Sequence, residues 1–237
     1  ALGFLLFSVY SKYSIIIKRK NLIESVLSGI LFHGLYLGGV FYSISIGMPT
    51  SIAALIVTLQ PILTNILSGP ILNEKVTLKQ WIGVLLGFLG ATLVLGLDLG
   101  SKIPLLGLVA TLIALISITA STIWQKKLSN NLPLSVSNFY QAVGGCFFHF
   151  IVVIFFAKPY IAFTKTFLLS MGHQIFLVSF GAFTILMFLI KKNSASKTVS
   201  IFFLIPATSA LMAWFFLKES LTAIDLLGFL ITSIGVY

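Results

Sequence analysis

Charge is what this sequence has least of, and negative charge least of all. Its 237 residues include five Asp and Glu together, and charged residues of both signs make up 8%. A soluble domain carries about 25%, so this chain cannot cover its surface against water. Cysteine is as scarce: the single Cys146 excludes an internal disulfide and any cysteine-based metal cluster. The three histidines, His33, His149 and His173, lie in different apolar runs without metal-motif spacing. No GxSxG, HExxH or aspartate-rich motif and no phosphate-binding P-loop occurs. These absences argue against a membrane enzyme and against an ATP-driven pump in this chain, and neither a metal nor a cofactor is expected.

What fills the chain is hydrocarbon, with 58% hydrophobic residues. Nine apolar runs, roughly 1–17, 25–46, 50–72, 80–97, 104–124, 136–157, 167–190, 195–217 and 222–237, are separated by short polar breaks. A helix needs about 20 apolar residues to cross the hydrocarbon core, and the interior runs meet that within a few residues. Backbone groups in lipid must be satisfied within the segment, and alternation suited to barrel strands is absent, so the spans are helices. The fold class expected is an all-α polytopic membrane protein. A net charge of +10 would suggest nucleic acid in a soluble protein, but here the lysines are scattered between spans and report topology instead. Ten Lys and Arg fall in or beside the odd-numbered breaks and four in the even ones, which places the odd breaks in the cytoplasm. Lys12, within the first run, is expected to snorkel toward the same headgroups. The chain starts at Ala1 and stops inside an apolar run at Tyr237, so both ends are expected to be clipped, with one helix missing upstream.

A long internal repeat organises these spans. Shifted by 145 residues, GMPTSIAALIVTLQPILTNILSGPILNEKVTLKQWIGVLLGFLGAT meets NSASKTVSIFFLIPATSALMAWFFLKESLTAIDLLGFLITSIGV without a gap. Ser51 falls on Ser196, Pro61 on Pro206, Glu74 on Glu219, Thr77 on Thr222, Gly83 on Gly228 and Gly90 on Gly235. Nine spans here, of an expected ten, make two repeats of five, and an odd count turns the second copy upside down. Inverted repeats build many secondary transporters, with the substrate site near the midplane. A channel or structural membrane protein is the alternative, but no charge ring or filter sequence stands out.

The stretch GMPTSIAALIVTLQPILTNILSGPILNEKVTLKQWIGVLLGFLGATLVLG, with its copy SASKTVSIFFLIPATSALMAWFFLKESLTAIDLLGFL, resembles the end of an EamA domain of the drug/metabolite transporter superfamily. The resemblance rests on a small-residue helix start, a mid-helix proline, a glutamate at the helix end, a threonine three later and a glycine-bearing helix. It implies two EamA repeats, at 1–97 and 104–237, cytoplasmic termini, a central cavity, and export or exchange of a small metabolite such as an amino acid. It implies the cytoplasmic membrane, that of a bacterial cell, as location. It names no substrate, and leaves coupling to protons or to exchange open.

Individual residues divide by depth. Pro61 and Pro206 lie near the middle of their runs, where a proline removes one hydrogen bond, frees the carbonyl of Val57 or Phe202 and supplies a hinge. Glu74 and Glu219 end the same runs beside Lys75 and Lys218, at the interface. They are expected to hold helix ends, interacting with the first amides of the following helix near the N-cap Thr77 or Thr222. No acid sits at mid-membrane, so a carboxylate proton relay is not supported. The cavity candidates are His33, Tyr36 (three residues on, hence on the same helical side), Thr58, Gln60 and Gln141, with Asn65, Gln125, Asn138, Tyr140 and His149 in the same class. Each could instead serve as an interhelical hydrogen bond. Gly83 and Gly87 form a GxxxG face for close packing, within the monomer or in a homodimer.

Overall fold

The computed structural model describes residues 1–96, 103–156, 161–218 and 220–236, and all regular structure among them is helical. The helices are α1 (Leu2–Tyr10), α2 (Arg19–Ser45), α3 (Thr50–Leu72), α4 (Leu78–Leu95), α5 (Leu105–Ser129), α6 (Leu134–Phe156), α7 (Lys165–Lys192), α8 (Ala195–Phe216) and α9 (Ala223–Val236). Among the described residues, the seven from α2 to α8 are long and apolar enough to cross a membrane. The first and last of the expected runs form shorter helices, α1 of 9 residues and α9 of 14. Lys12 is not in a span: it lies past the end of α1 in a turn, at φ 56°. The expected break at Lys126 and Lys127 is also helical, because α5 runs on to Ser129 with both lysines in its last turn, where the helix dipole favours cations.

The helices are amphipathic in the sense opposite to a soluble protein. On α5, Leu105, Leu106 and Ile116 are more than 60% exposed, while Thr111, Thr119, Ser121, Thr122 and Gln125 are buried. Hydrocarbon around the protein removes the penalty for apolar exposure and penalises an outward polar group, so polar side chains turn inward.

Contacts divide the chain into two compact units, Ala1–Leu35 with Ala120–Asn193 and Tyr36–Thr119 with Ser194–Tyr237. In the first, α2 and α6 approach through small residues. A Cβ on Gly29 would overlap the backbone of Gln141, and one on Gly144 the backbone of Val26. An apolar cluster of Phe4, Phe183, Met187 and Ile190 lies beside them. The Lys126 ammonium, still within this unit, donates to the carbonyls of Ile190 at 2.9 Å and Asn193 at 2.5 Å, at the end of α7.

In the second unit α4 and α9 pack on each other's glycines. A Cβ on Gly83 would strike the Gly235 carbonyl, and one on Gly90 would strike Thr232 and Gly228. A Cβ on Gly87 would come within 2.5 Å of the Phe203 ring. The GxxxG face is therefore used inside the chain. Both helices start on matching caps: Gln80 Nα–H donates to Thr77 Oγ1 at 3.3 Å, and Asp225 Nα–H to Thr222 Oγ1 at 3.2 Å. The side chain of the third helical residue returns to the cap amide each time, Gln80 on Thr77 and Asp225 on Thr222, both at 2.8 Å. The residues that end α3 and α8, Asn73 and Lys218, are both left-handed, at φ 56° and 57°.

Candidate functional site

The second half of α3 buries a polar face. Gln60, Thr64 and Ser68 recur at four-residue spacing and are fully buried, with Asn65 beside them, while Ile66 and Ile71 on the same helix are exposed. Residues four apart stack on one side of an α-helix, so the hydroxyls and amides form one strip along a lipid-exposed helix. Ser196 at the start of α8 gives its hydroxyl to Asn65 Oδ1. The Thr64 hydroxyl and the Asn65 amide nitrogen are buried without a partner. Unsatisfied buried groups are uncommon, and each calls for an explanation such as an absent water or ligand.

This face begins where α3 is broken. The helix stops at Val57 and restarts at Gln60. Across the gap the Thr58 amide donates to Ala54 at 2.8 Å and the Leu59 amide to Ile56 at 3.1 Å, one residue shorter in register. Pro61 thus sits in the first turn of the second segment, where a missing N–H is well tolerated. Pro61 lies at the middle of α3, and the break in the ladder falls just before it. Pro206 has the same setting, in the first turn of Leu204–Met212 and behind the 3₁₀ turn Ser200–Phe203. The Thr58 hydroxyl bonds the Ala54 carbonyl at 2.7 Å, within its own helix.

Glu74 has a different partner from the one expected. Its carboxylate accepts the amides of Ala195 at 3.0 Å and Ser196 at 3.5 Å, at the start of α8. The following helix, α4, is capped by Thr77 and Gln80 alone. The left-handed Asn73 ends α3 immediately before Glu74, and α4 fills its own cap without it. Glu219 lies outside the described residues.

In the other unit, Gln141 is an interhelical bond-maker. Its Oε1 accepts from Gln125 Nε2 at 3.0 Å and its Nε2 donates to Ser137 at 3.0 Å. Gln125 Nε2 also reaches Ser121 at 3.1 Å, and Ser121 pairs with Ser28 at 3.1 Å. The result is a buried chain of hydrogen bonds joining α2, α5 and α6. His33 packs its ring against Phe32 and Phe183, with centroids 5.0 and 4.9 Å away, and its carbonyl lies 2.8 Å from His149 Nε2. The expectation that Tyr36 shares a side with His33 is overturned. Residues Ile30–Tyr36 wind as a π-helix, in which bonds run i→i+5 and residues three apart no longer stack. His33 and Tyr36 also fall in different units.

An open cleft of about 860 Å³ lies in the first unit, bordered by Lys18, Lys20, Asn21, Glu24, Lys127 and Asn131 among others. None of the predicted cavity residues lines it. Sequence reasoning missed Thr64, Ser68 and Ser196. The signal for the first two was their spacing from Gln60, and nothing local pointed to Ser196.

Apolar helices with inward polar strips and breaks beside prolines define a polytopic helical membrane protein, and its relatives make it a transporter. The chain belongs to the EamA-like transporter family, which matches residues 1–96 and 105–237. It is 28% identical over 221 residues to the uncharacterized transporter YvbV of Bacillus subtilis strain 168, covering 89% of this chain and 68% of that protein. Against the uncharacterized transporter YyaM of the same strain it is 26% identical over 234 residues, covering 92% and 73%. A chain of known crystal structure superposes with a TM-score of 0.81 at 13% identity, covering 98% of this chain and 81% of that one, which shows the shared fold.

Proposed function

We propose that this protein is a secondary transporter that exports or exchanges a small polar metabolite, such as an amino acid, across the cytoplasmic membrane of a bacterial cell. In this reading two inverted EamA repeats, 1–97 and 104–237, expose a polar cavity to each side in turn. The observation that carries it is the buried polar face of α3, Gln60, Thr64, Asn65 and Ser68, set directly after the helix break at Pro61. A polar strip with unpaired groups has no use for lipid, and it suits a solute with hydrogen-bonding groups of its own. Matched backbone at Asn73 and Lys218, and matched caps at Thr77 and Thr222, support the duplicated unit.

The test is access. With Cys146 replaced by alanine, Gln60→Cys in the full-length protein is expected to react with a small water-soluble thiol reagent. A Gln60→Cys variant inert to that reagent in native membranes would mean that the polar face serves packing alone.

A further inference from the structure

The Glu74 contact is more than a helix cap. The first amides of a helix have no intrahelical acceptor, and a carboxylate there is also favoured by the helix dipole. In α8 the Ser194 hydroxyl caps the Lys197 amide, at 3.2 Å, and the Ser194 carbonyl accepts the first intrahelical bond, from the Thr198 amide at 3.1 Å. That leaves the Ala195 and Ser196 amides, and the acceptor they take, Glu74, comes from beyond the end of α3 and so ties the two helices together. Asn65 makes a second tie to the same turn through the Ser196 hydroxyl. Asn65 on the buried polar face of α3 and Glu74 just past its end together hold the opening turn of α8.

That turn is a segment of its own. Ala195–Val199 is a five-residue helical segment, separated from Leu204–Met212 by the 3₁₀ turn Ser200–Phe203. Thr64 and Asn65 are buried beside it, and Asn65 is bonded to it.

We propose that the Glu74 carboxylate, backed by Asn65, is the latch that closes the polar face of α3 on the side where α3 ends and α8 begins. Release of the Ala195 and Ser196 amides opens that side, the cytoplasmic one by the distribution of lysines. The latch rests on the transporter reading, since only a carrier needs one face of its site shut at a time. Glu74 is a positioning residue here: it acts through α8 and does not touch the solute.

The test uses the full-length protein carrying Cys146→Ala and Thr64→Cys, in right-side-out and inside-out vesicles. A membrane-impermeant, negatively charged methanethiosulfonate is added to one side at a time. Glu74→Ala is expected to speed labelling from the Glu74 face by about tenfold, the population shift that loss of a charge-assisted hydrogen bond gives. Labelling from the opposite face should not rise. Glu74→Gln, which keeps an acceptor and loses the charge, should fall between, and it carries the comparison if Glu74→Ala fails to reach the membrane. Thr77→Ala, which removes only the α4 cap, should leave both rates unchanged. An equal rise from both faces would mean local unfolding, and no rise would mean no latch; either overturns the proposal. Failure of the transporter reading has another signature, Thr64→Cys labelled from neither face in any variant, which overturns the latch with it.

Discussion

At the residue scale, polar side chains within apolar helices divide into those whose bonds are spent on neighbours and those left with capacity. Gln141 is of the first kind, with one bond to Gln125 and one to Ser137. Thr64 and Asn65 are of the second, each with a buried polar atom unpaired. An interhelical hydrogen bond in a membrane protein contributes about 0.6 kcal/mol on average. Gln141→Leu removes two and leaves the Gln125 amide with Ser121 as its remaining partner. It should lower stability toward a denaturing detergent by about 1 kcal/mol. Labelling of Thr64→Cys from either face should stay as it was, since Gln141 belongs to the other unit. The sequence marks both kinds of residue as inward, because either would be costly against lipid. It cannot tell them apart, since Gln125 lies 16 residues from Gln141 and Ser28 93 from Ser121. Glu74 shows the same limit. Its place at a helix end was legible from Lys75 and Thr77, but its partners lie 121 and 122 residues away.

At the element scale, the proline-bearing helices are where local chemistry and function meet. Both α3 and α8 are interrupted just before their prolines, by a shortened turn at Thr58–Leu59 and a 3₁₀ turn at Ser200–Phe203. The prolines were readable from the repeat. Their position at the start of a restarted segment was not, because the sequence shows one continuous apolar run and a proline is compatible with either arrangement. A first-turn proline costs its helix little. Pro61→Ala and Pro206→Ala should therefore change stability by no more than about 0.5 kcal/mol. Alanine lets the ladder close across the break, stiffening the hinge, and each variant should slow turnover about tenfold, the effect of roughly 1.4 kcal/mol on the barrier. Flux and detergent unfolding measured on the same preparations separate the two. Unchanged flux in both variants would remove the hinge. The π-helical winding of Ile30–Tyr36 is a further case of local geometry that residue spacing alone misjudges.

At the scale of the whole molecule, scarcity of charge and the apolar runs led directly to an all-helical membrane protein, and seven long apolar helices are present among the described residues. What composition could not supply was the grouping of helices. Each compact unit takes segments from both halves of the chain, and such long-range pairing leaves no local trace. The central claim is that this bundle carries a solute by exposing one site alternately, and counterflow measures that most directly. Proteoliposomes holding the full-length protein are loaded with a millimolar panel of unlabelled amino acids and related metabolites, then given a trace of each in radiolabelled form outside. The account predicts saturable, transient accumulation of at least one compound above its outside concentration, depressed in Asn65→Ala. Flux that never saturates, or no accumulation of any compound beyond protein-free liposomes, would contradict it.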